Sequence, residues 1–483
     1  NMNVRDLEPN AMWNHFADLN AVPRPSKKEE RVIQFMVDFG KSLGLPVKVD
    51  PTGNILITKP ATAGMENRQT VVLQSHVDMV HQKNNDTQFD FFTQGIEMYV
   101  EDDWVKANGT TLGADNGIGV ASIMTILSSK DIPHPPLEAF FTVDEETGMT
   151  GAFGLEPNVL TGSILLNLDT EDDDELTIGC AGGVDVTANR KLEVEGAAGR
   201  SGFSLVVKGL SGGHSGMDIH KGLGNANKIM NRILLGAEAL GARVSAIDGG
   251  SLRNAIPRES SAIIGLEDSA VGDLKNYLKD FSEVLRSEYK TTDPDLEIVL
   301  EPSDAPSQVL TADCQSNMLK AIAGVPNGIY RMSPDIADLV QTSSNMARII
   351  VDGDFFQAQC LTRSAVDSEK LDMAHSIGMV FSLMGCEYTL TGSYPGWSPD
   401  PNASIVSTMT EKYKSLFGDE PKVLACHAGL ECGILGTHYP EMEMISFGPN
   451  IRGAHSPDEK VQISSVNKYW KLFLQTLAET PAI

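Results

Sequence analysis

Three apolar runs, each ending in an acid or an imidazole, constrain the fold of this chain more than any other feature. VVLQS at 71–75 leads into His76 and Asp78, LEAFFTV at 137–143 into Asp144, Glu145 and Glu146, and SILLNL at 163–168 into Asp169. Runs this short and this apolar suit strands covered on both faces. Between them lie GADNGIGVASIMTILSS, an apolar helix of about three turns, and ETGMTGAFGL, a shorter helix. The alternation predicts an α/β fold with a mainly parallel sheet. Such sheets place ligands at the carboxyl ends of their strands, where these polar residues fall.

The rest of the chain suggests how this sheet is completed. Residues 9–45 read as helical, with Ser26 and Glu29 spaced as a capping box ahead of ERVIQFMVDFGKSLG. NILITKP, after Gly53, is strand-like. Near residue 187 the pattern changes to strands such as GFSLVVKGL and SAIIGLED and helices such as GNANKIMNRILLGAEAL. After YPGW the first style returns in SIVSTMTEKYKSLFG, EMEMISFGP and SSVNKYWKLFLQTLAE. The expected layout is one α/β domain in two segments, 1–186 and 397–483, interrupted by a second α/β domain over 187–396. Within that insert, AIIGLEDSAVGDLKNYL from Ala262 echoes AQCLTRSAVDSEKLDMA from Ala358. The insert reads as a duplicated module or as two convergent strand–helix units. At about 210 residues it is roughly twice the length one such module needs.

At 483 residues the chain exceeds a single core. Its 65 acidic residues against 38 basic ones give a net charge of −27, which argues against nucleic acid or an anionic membrane as partner. Six scattered cysteines, none in a C-x-x-C pair, suit neither a disulfide framework nor a structural zinc knuckle. No apolar run approaches the roughly 18 residues of a membrane span. The N-terminal segment lacks a basic stretch followed by an apolar one, so a cytoplasmic setting is expected, and Asn1 before Met2 reads as a remnant.

The chemistry lies where the strands end. His76 and Asp78 are two apart in an extended chain and face the same way, so the acid could fix the imidazole tautomer or orient a nearby group. Asp115 sits where a glycine-rich loop enters a helix; a plain N-cap is the simpler reading. Three successive acids at 144–146 repel one another unless positive charge compensates, and a metal ion supplies that charge. Glu146 could then bind metal while Glu145, facing another way, takes a proton from metal-bound water and passes it to the leaving amine. Asp169 ends its strand in the same manner, whereas the acids at 171–175 read as a solvated loop. His455 follows the apolar EMEMISF far downstream, so the C-terminal segment must fold back onto the first sheet. Two histidines, three carboxylates and a spare glutamate suit a pair of Zn²⁺ ions sharing one bridging carboxylate, with Mn²⁺ or Co²⁺ able to substitute.

These segments resemble the M20 family of metallopeptidases, and within it the aminoacyl-histidine (Xaa-His) dipeptidase branch. The blocks concerned are SHVDMV, GTTLGADNGIG, DEETGMTGAFGL, NLDTE, GCAGG, GLSGGHSG, GLGNAN, LRNAIPRE, YPGW, HAGLECG and GAHSPDE, spread over nearly the whole chain. The resemblance implies a zinc-aminopeptidase-like catalytic domain interrupted by a lid. It makes His76 and Asp169 ligands of one zinc and Glu146 and His455 ligands of the other. Asp115 would bridge them, Asp78 would support the site, and Glu145 would be the general base. In the lid, His214 would close over the site and stabilise the oxyanion. Asn254 and Arg363 would hold substrate, Arg363 by clamping a carboxylate; a surface salt bridge is the plainer reading of that arginine. His427 fits a substrate contact and a structural turn equally.

The activity so implied is hydrolysis of unblocked dipeptides with C-terminal histidine, β-alanyl-histidine included, by metal-bound hydroxide. The alternatives are an N-acyl amino acid deacylase of the same family and a metal-binding protein without catalysis. Single-module lids of the family pair between subunits. A doubled lid could complete the site within one chain, which leaves a homodimer open.

Overall fold

The computed structural model describes residues 2–483, and Asn1 lies outside it. The described residues form two compact units, one of residues 2–179, 399–425 and 430–483, the other of 180–398 and 426–429.

The first unit is built on an eight-stranded sheet. Its centre is parallel: Leu137–Thr142, Val71–His76, Ile164–Asn167 and Glu443–Ser446 lie side by side in that order. Val47–Val49 and Ile55–Lys59 extend one edge antiparallel, and Glu175–Cys180 begins the other. Every residue of Val71–His76 and Leu137–Thr142 is buried, as strands covered on both faces must be. The expected α/β class with a parallel sheet at the site is therefore what the chain adopts. The helix Ala114–Ser128 is buried along residues 114–127. Apolar all round, it can only be an interior helix. Two glycines let it pack so deeply: a Cβ on Gly117 would meet Arg24 and Phe16, and one on Gly119 would overlap Ser75 Oγ.

A smaller sheet in the same unit pairs the C-terminal hairpin, Ile451–Arg452 with Lys460–Gln462, against Trp104–Ala107. Val461 opposite Val105 is fully buried there, which fixes the loop bearing His455 close in space to the chain approaching Asp115.

The capping box expected at Ser26 does not form. The helix begins at Glu30, with Glu29 at its N-cap making no side-chain capping bond. The Ser26 hydroxyl instead donates to Asp78 Oδ2 at 2.5 Å.

The second unit holds an antiparallel sheet of nine strands with helices Ala226–Glu238, Val271–Glu288, Ala312–Gly324 and Asp367–Leu383. Its strand order repeats about the pair Arg243–Gly250 and Val340–Asp352. Outward on one side come Ser260–Leu266, Ser201–Lys208 and Glu297–Ser303; on the other come Phe355–Ser364, Gly182–Lys191 and Glu387–Tyr394. The two echoing segments fall on matching elements, a strand followed by a helix at Ser260–Leu266 with Val271–Glu288 and again at Phe355–Ser364 with Asp367–Leu383. The strand Gly182–Lys191 runs unbroken through residue 187, so the change of style in sequence falls inside an element of this sheet.

Candidate metal centre

The strand ends converge at one edge of the first sheet. His76 closes its strand with no exposed surface. Its Nε2 lies 3.1 Å from Asp115 Oδ1, 3.5 Å from Glu145 Oε2, 3.5 Å from Asp169 Oδ1 and 3.7 Å from Glu146 Oε1. His455 arrives from the C-terminal hairpin, its Nε2 3.0 Å from Glu146 Oε2 and 3.3 Å from Asp115 Oδ2. Asp115 thus offers one oxygen to each imidazole, and so does Glu146. Potential ligand atoms of His76, Glu145 and Asp169 lie within 4.8 Å of one another, as do those of His76, Asp115 and Glu146.

The backbone explains how each side chain reaches this point. Asp115 does not cap its helix; its φ and ψ of −86° and 100° are not helical, and its carboxylate turns to the imidazoles. The three main-chain N–H groups of that turn go to Glu459 instead. After Leu137–Thr142 the chain turns through Asp144 at φ 51°, a left-handed conformation that aspartate tolerates. This turn sends Glu145 and Glu146 off the strand together. Both of their N–H groups then donate to Asp78, at 3.1 Å to Oδ1 and 3.2 Å to Oδ2. Asp78 Oδ1 also stands 3.2 Å from His76 Nδ1, leaving Nε2 as the nitrogen that faces the acids.

A second carboxylate trio, Glu29, Asp78 and Asp144, meets the same proximity criterion but is spent on internal bonds. Glu29 Oε1 accepts from the N–H groups of Lys27 and Asp144, while Asp144 accepts from the hydroxyls of Thr147 and Thr150 and pairs with Lys27. These residues form the scaffold beneath the centre.

So many buried acids cannot all ionise without added positive charge. Burial pushes Glu145 well above the usual carboxylate range, helped by Asp169, Glu146 and Glu431 and opposed by His76. Burial and Asp115 do the same to Asp169, and burial also raises Glu146. Burial opposes the charged form of His76, but Asp169 and Glu145 outweigh it and hold the imidazole well above its ordinary value. Hydrogen bonds to Asp115 and Glu146 push His455 up to about 11. The raised proton affinity of both imidazoles marks the cluster as one whose acids call for positive charge. The donor set fits zinc, with imidazole nitrogens and carboxylate oxygens around shared acids. One atom makes the case specific: Glu146 Oε1 is buried with no hydrogen-bond partner, a cost that a metal ligand does not incur.

Three acids at the site escaped sequence reasoning. Glu431, in HAGLECG, is buried; its Oε1 accepts from Gln74 Nε2 at 3.1 Å, its Oε2 has no partner, and burial pushes it up to about 7. Glu459 is buried behind Asp115. Glu171, read as part of a solvated loop, is pushed up to about 8 by burial and then by Asp115. Its neighbour Asp173 is bonded to Ser465 and Lys468, so that acidic run is partly structural. A lone acid inside an apolar or glycine-rich segment was the available signal for Glu431.

The remaining expected residues lie in the second unit. His214 Nδ1 accepts from the N–H groups of Gly216 and Met217, both at 3.0 Å, which assigns its proton to Nε2. Burial, then Arg363, lowers its pKa, so the ring is a neutral N–H donor. Arg363 is not a surface residue: at 4% exposure it donates to Ser215 Oγ and to Tyr394 OH, and no carboxylate of the described residues lies within 4 Å of it. Gly216 packs so closely against it that an added Cβ would stand 2.9 Å from Arg363 Cδ. Asn254 is exposed, and its carbonyl accepts from Ser215 N. His427 is buried against Ser343 Oγ at 2.7 Å, and burial, then Arg363, brings its pKa down to about 3.

An α/β sheet with acids and imidazoles gathered at its strand ends is an arrangement used by hydrolases that work through metal ions. This chain belongs to peptidase family M20/M25/M40, whose sequence pattern matches residues 72–479. It is a peptide-bond hydrolase of a metal-dependent family. It is 44% identical over 481 residues to the cytosol non-specific dipeptidase of Escherichia coli, covering 99% of each chain. The structure matches that of aminoacylhistidine dipeptidase from Vibrio alginolyticus with a TM-score of 0.96 at 42% identity, over 100% of this chain and 99% of that one. Aminopeptidase PepT from Bacillus cereus shares the fold, with a TM-score of 0.57 at 17% identity over 98% and 99% of the two chains. Among the described residues, no helix is long and apolar enough to cross a membrane.

Proposed function

We propose that this chain is a dinuclear zinc dipeptidase that cleaves unblocked dipeptides, those ending in histidine among them. The observation that carries the proposal is the pairing of Asp115 and Glu146, each with one oxygen toward His76 and the other toward His455, around a buried Glu146 oxygen that nothing else satisfies. In this assignment His76 and Asp169 would hold one ion and Glu146 and His455 the other, with Asp115 as a ligand for both. Manganese or cobalt would fit the same donors. The ions would supply positive charge for the carbonyl oxygen and acidify the attacking water.

The protein's own groups do the rest. Glu145, its proton affinity raised by burial among acids, takes the proton of the attacking water and delivers it to the leaving amine nitrogen. Asp78 fixes the base by holding the N–H groups of Glu145 and Glu146 on its two oxygens. His214, a neutral ring with its proton on Nε2, is assigned as donor to the oxygen that becomes negative. Arg363, buried without an acid partner, would take the C-terminal carboxylate of the substrate, with Asn254 as a further polar contact.

The relatives support a dipeptide as substrate: one is named a non-specific dipeptidase and another an aminoacylhistidine dipeptidase. The first of these names also favours a cytoplasmic location. Zinc content measured beside hydrolysis of a substrate panel tests the proposal. Two zinc ions per chain and cleavage of β-alanyl-histidine and other free dipeptides are expected, with activity abolished by chelation and restored by zinc. Full activity after removal of all divalent ions, or a preference for N-acetyl amino acids over free dipeptides, would refute it.

A further inference from the structure

The segments that carry Asp115, His76 and His455 are tied together by one buried acid and one buried base that the reaction itself does not need. Glu459, 3% exposed, stands four residues beyond His455. Its Oε1 accepts from the N–H groups of Leu112 at 2.8 Å and Gly113 at 3.0 Å, and its Oε2 from that of Asp115 at 3.1 Å. Arg24, 1% exposed, grips the same turn from behind. Its Nη2 donates to the carbonyl of Gly113 and to Asn20 Oδ1, and its Nη1 to the carbonyl of Val77, the residue after His76. Gly113, at φ 77°, leaves room for that contact, since a Cβ there would stand 2.5 Å from Arg24 Nη2.

A carboxylate so deep in the protein is costly to desolvate and persists only where charge-assisted bonds offset the cost. Here the donors are three main-chain N–H groups of one turn, so the carboxylate fixes that turn rather than any side chain. We propose that Glu459 is a positioning residue of the metal centre: it fastens the main chain at 112–115 to the C-terminal hairpin and so sets the 3.3 Å approach of Asp115 to His455. This inference rests on the metal assignment of the preceding section. Glu459 touches neither ion nor substrate in it. Because Asp115 serves both ions, loosening its turn weakens both.

Glu459→Gln keeps the shape but turns an NH2 group onto N–H donors. Glu459→Asp keeps the charge and shortens the reach. Glu138→Gln is the control: Glu138 is a buried acid of the same unit that accepts the N–H groups of Thr161 and Gly162, away from the centre. Zinc affinities of the full chains are read by competition with a chromophoric chelator, beside thermal unfolding of the metal-free proteins. Wild type is expected to bind two zinc ions. Glu459→Gln should bind both about 10–100-fold more weakly, the range for groups that orient metal ligands. Glu459→Asp should fall between, and Glu138→Gln should bind as wild type even where it loses as much metal-free stability. If Glu459→Gln does not fold, the aspartate variant decides. Wild-type zinc affinity in the Glu459 variants, or an equal loss in Glu138→Gln, overturns the inference while leaving the metal assignment standing. A wild-type chain that binds no zinc overturns both.

Discussion

Replacing Asp78 by asparagine tests how the centre holds its base. The carboxylate has no exposed surface and meets donors on both oxygens: Ser26 Oγ and the Glu146 N–H at Oδ2, the Glu145 N–H and His76 Nδ1 at Oδ1. Asparagine keeps one acceptor. With its amide nitrogen at the Oδ1 position it would confront both Glu145 N–H and the ring. At the Oδ2 position the Ser26 hydroxyl can rotate to accept, and only the Glu146 N–H is stranded, so this orientation is preferred. A buried donor left without a partner costs about 1–3 kcal/mol. The stranded group belongs to the residue after the base, so the cost falls on its placement. At 1.36 kcal/mol per factor of ten in rate, kcat should fall by roughly 5–150-fold, with KM for a free dipeptide changed far less. Steady-state hydrolysis at saturating zinc measures both constants, and zinc content shows that the ions are still bound. A variant with full zinc and wild-type kcat would refute the view that Asp78 acts by fixing the chain at 145–146.

Glu145→Gln should retain both zinc ions and the fold while kcat drops by about 10²–10⁴, the usual contribution of a positioned base; single-turnover hydrolysis beside metal analysis checks it. Arg363→Lys removes the planar fork from a buried site, and with charge-assisted bonds worth about 1.5–3 kcal/mol KM for free dipeptides should rise by roughly 10–150-fold, more than kcat falls. The pH dependence of stability has a contribution from His427. Its folded pKa of about 3 lies below the ordinary 6.5, so the neutral ring is favoured by folding; the stability is present above 6.5 and is lost as pH falls from 6.5 toward 3. Denaturant titrations across that window should show a shallower acid slope for His427→Gln than for wild type.

His76, Glu146 and Asp169 were legible as site residues because each ends or closely follows a buried strand, as His455 does further along, and the physics that buries the strand also fixes where the chain emerges from it. What remained hidden depends on contacts between distant segments. Ser26 and Glu29 have the spacing of a capping box, yet they bond to Asp78 and to the main chain of Asp144. The local pattern cannot reveal that a better acceptor waits fifty residues away. Asp115, read by itself, looked like a plain cap of its own helix. Its carboxylate faces the imidazoles, and Glu459 accepts the N–H groups of Leu112, Gly113 and Asp115 from across the fold. Arg363 stood between a carboxylate clamp and a surface cation, and His427 between a substrate contact and a structural turn; the burial of both follows from packing within the second unit, which no periodicity encodes.

The strand Glu443–Ser446 lies inside the first sheet, between Ile164–Asn167 and Glu175–Cys180, with His455 soon after it. The metal centre therefore cannot assemble until the chain has been made through His455 and Glu443–Ser446 has paired with Ile164–Asn167. A product terminated before Glu443 lacks one imidazole and bares the side of Ile164–Asn167 as an unpaired apolar border, which makes it inactive and prone to aggregate.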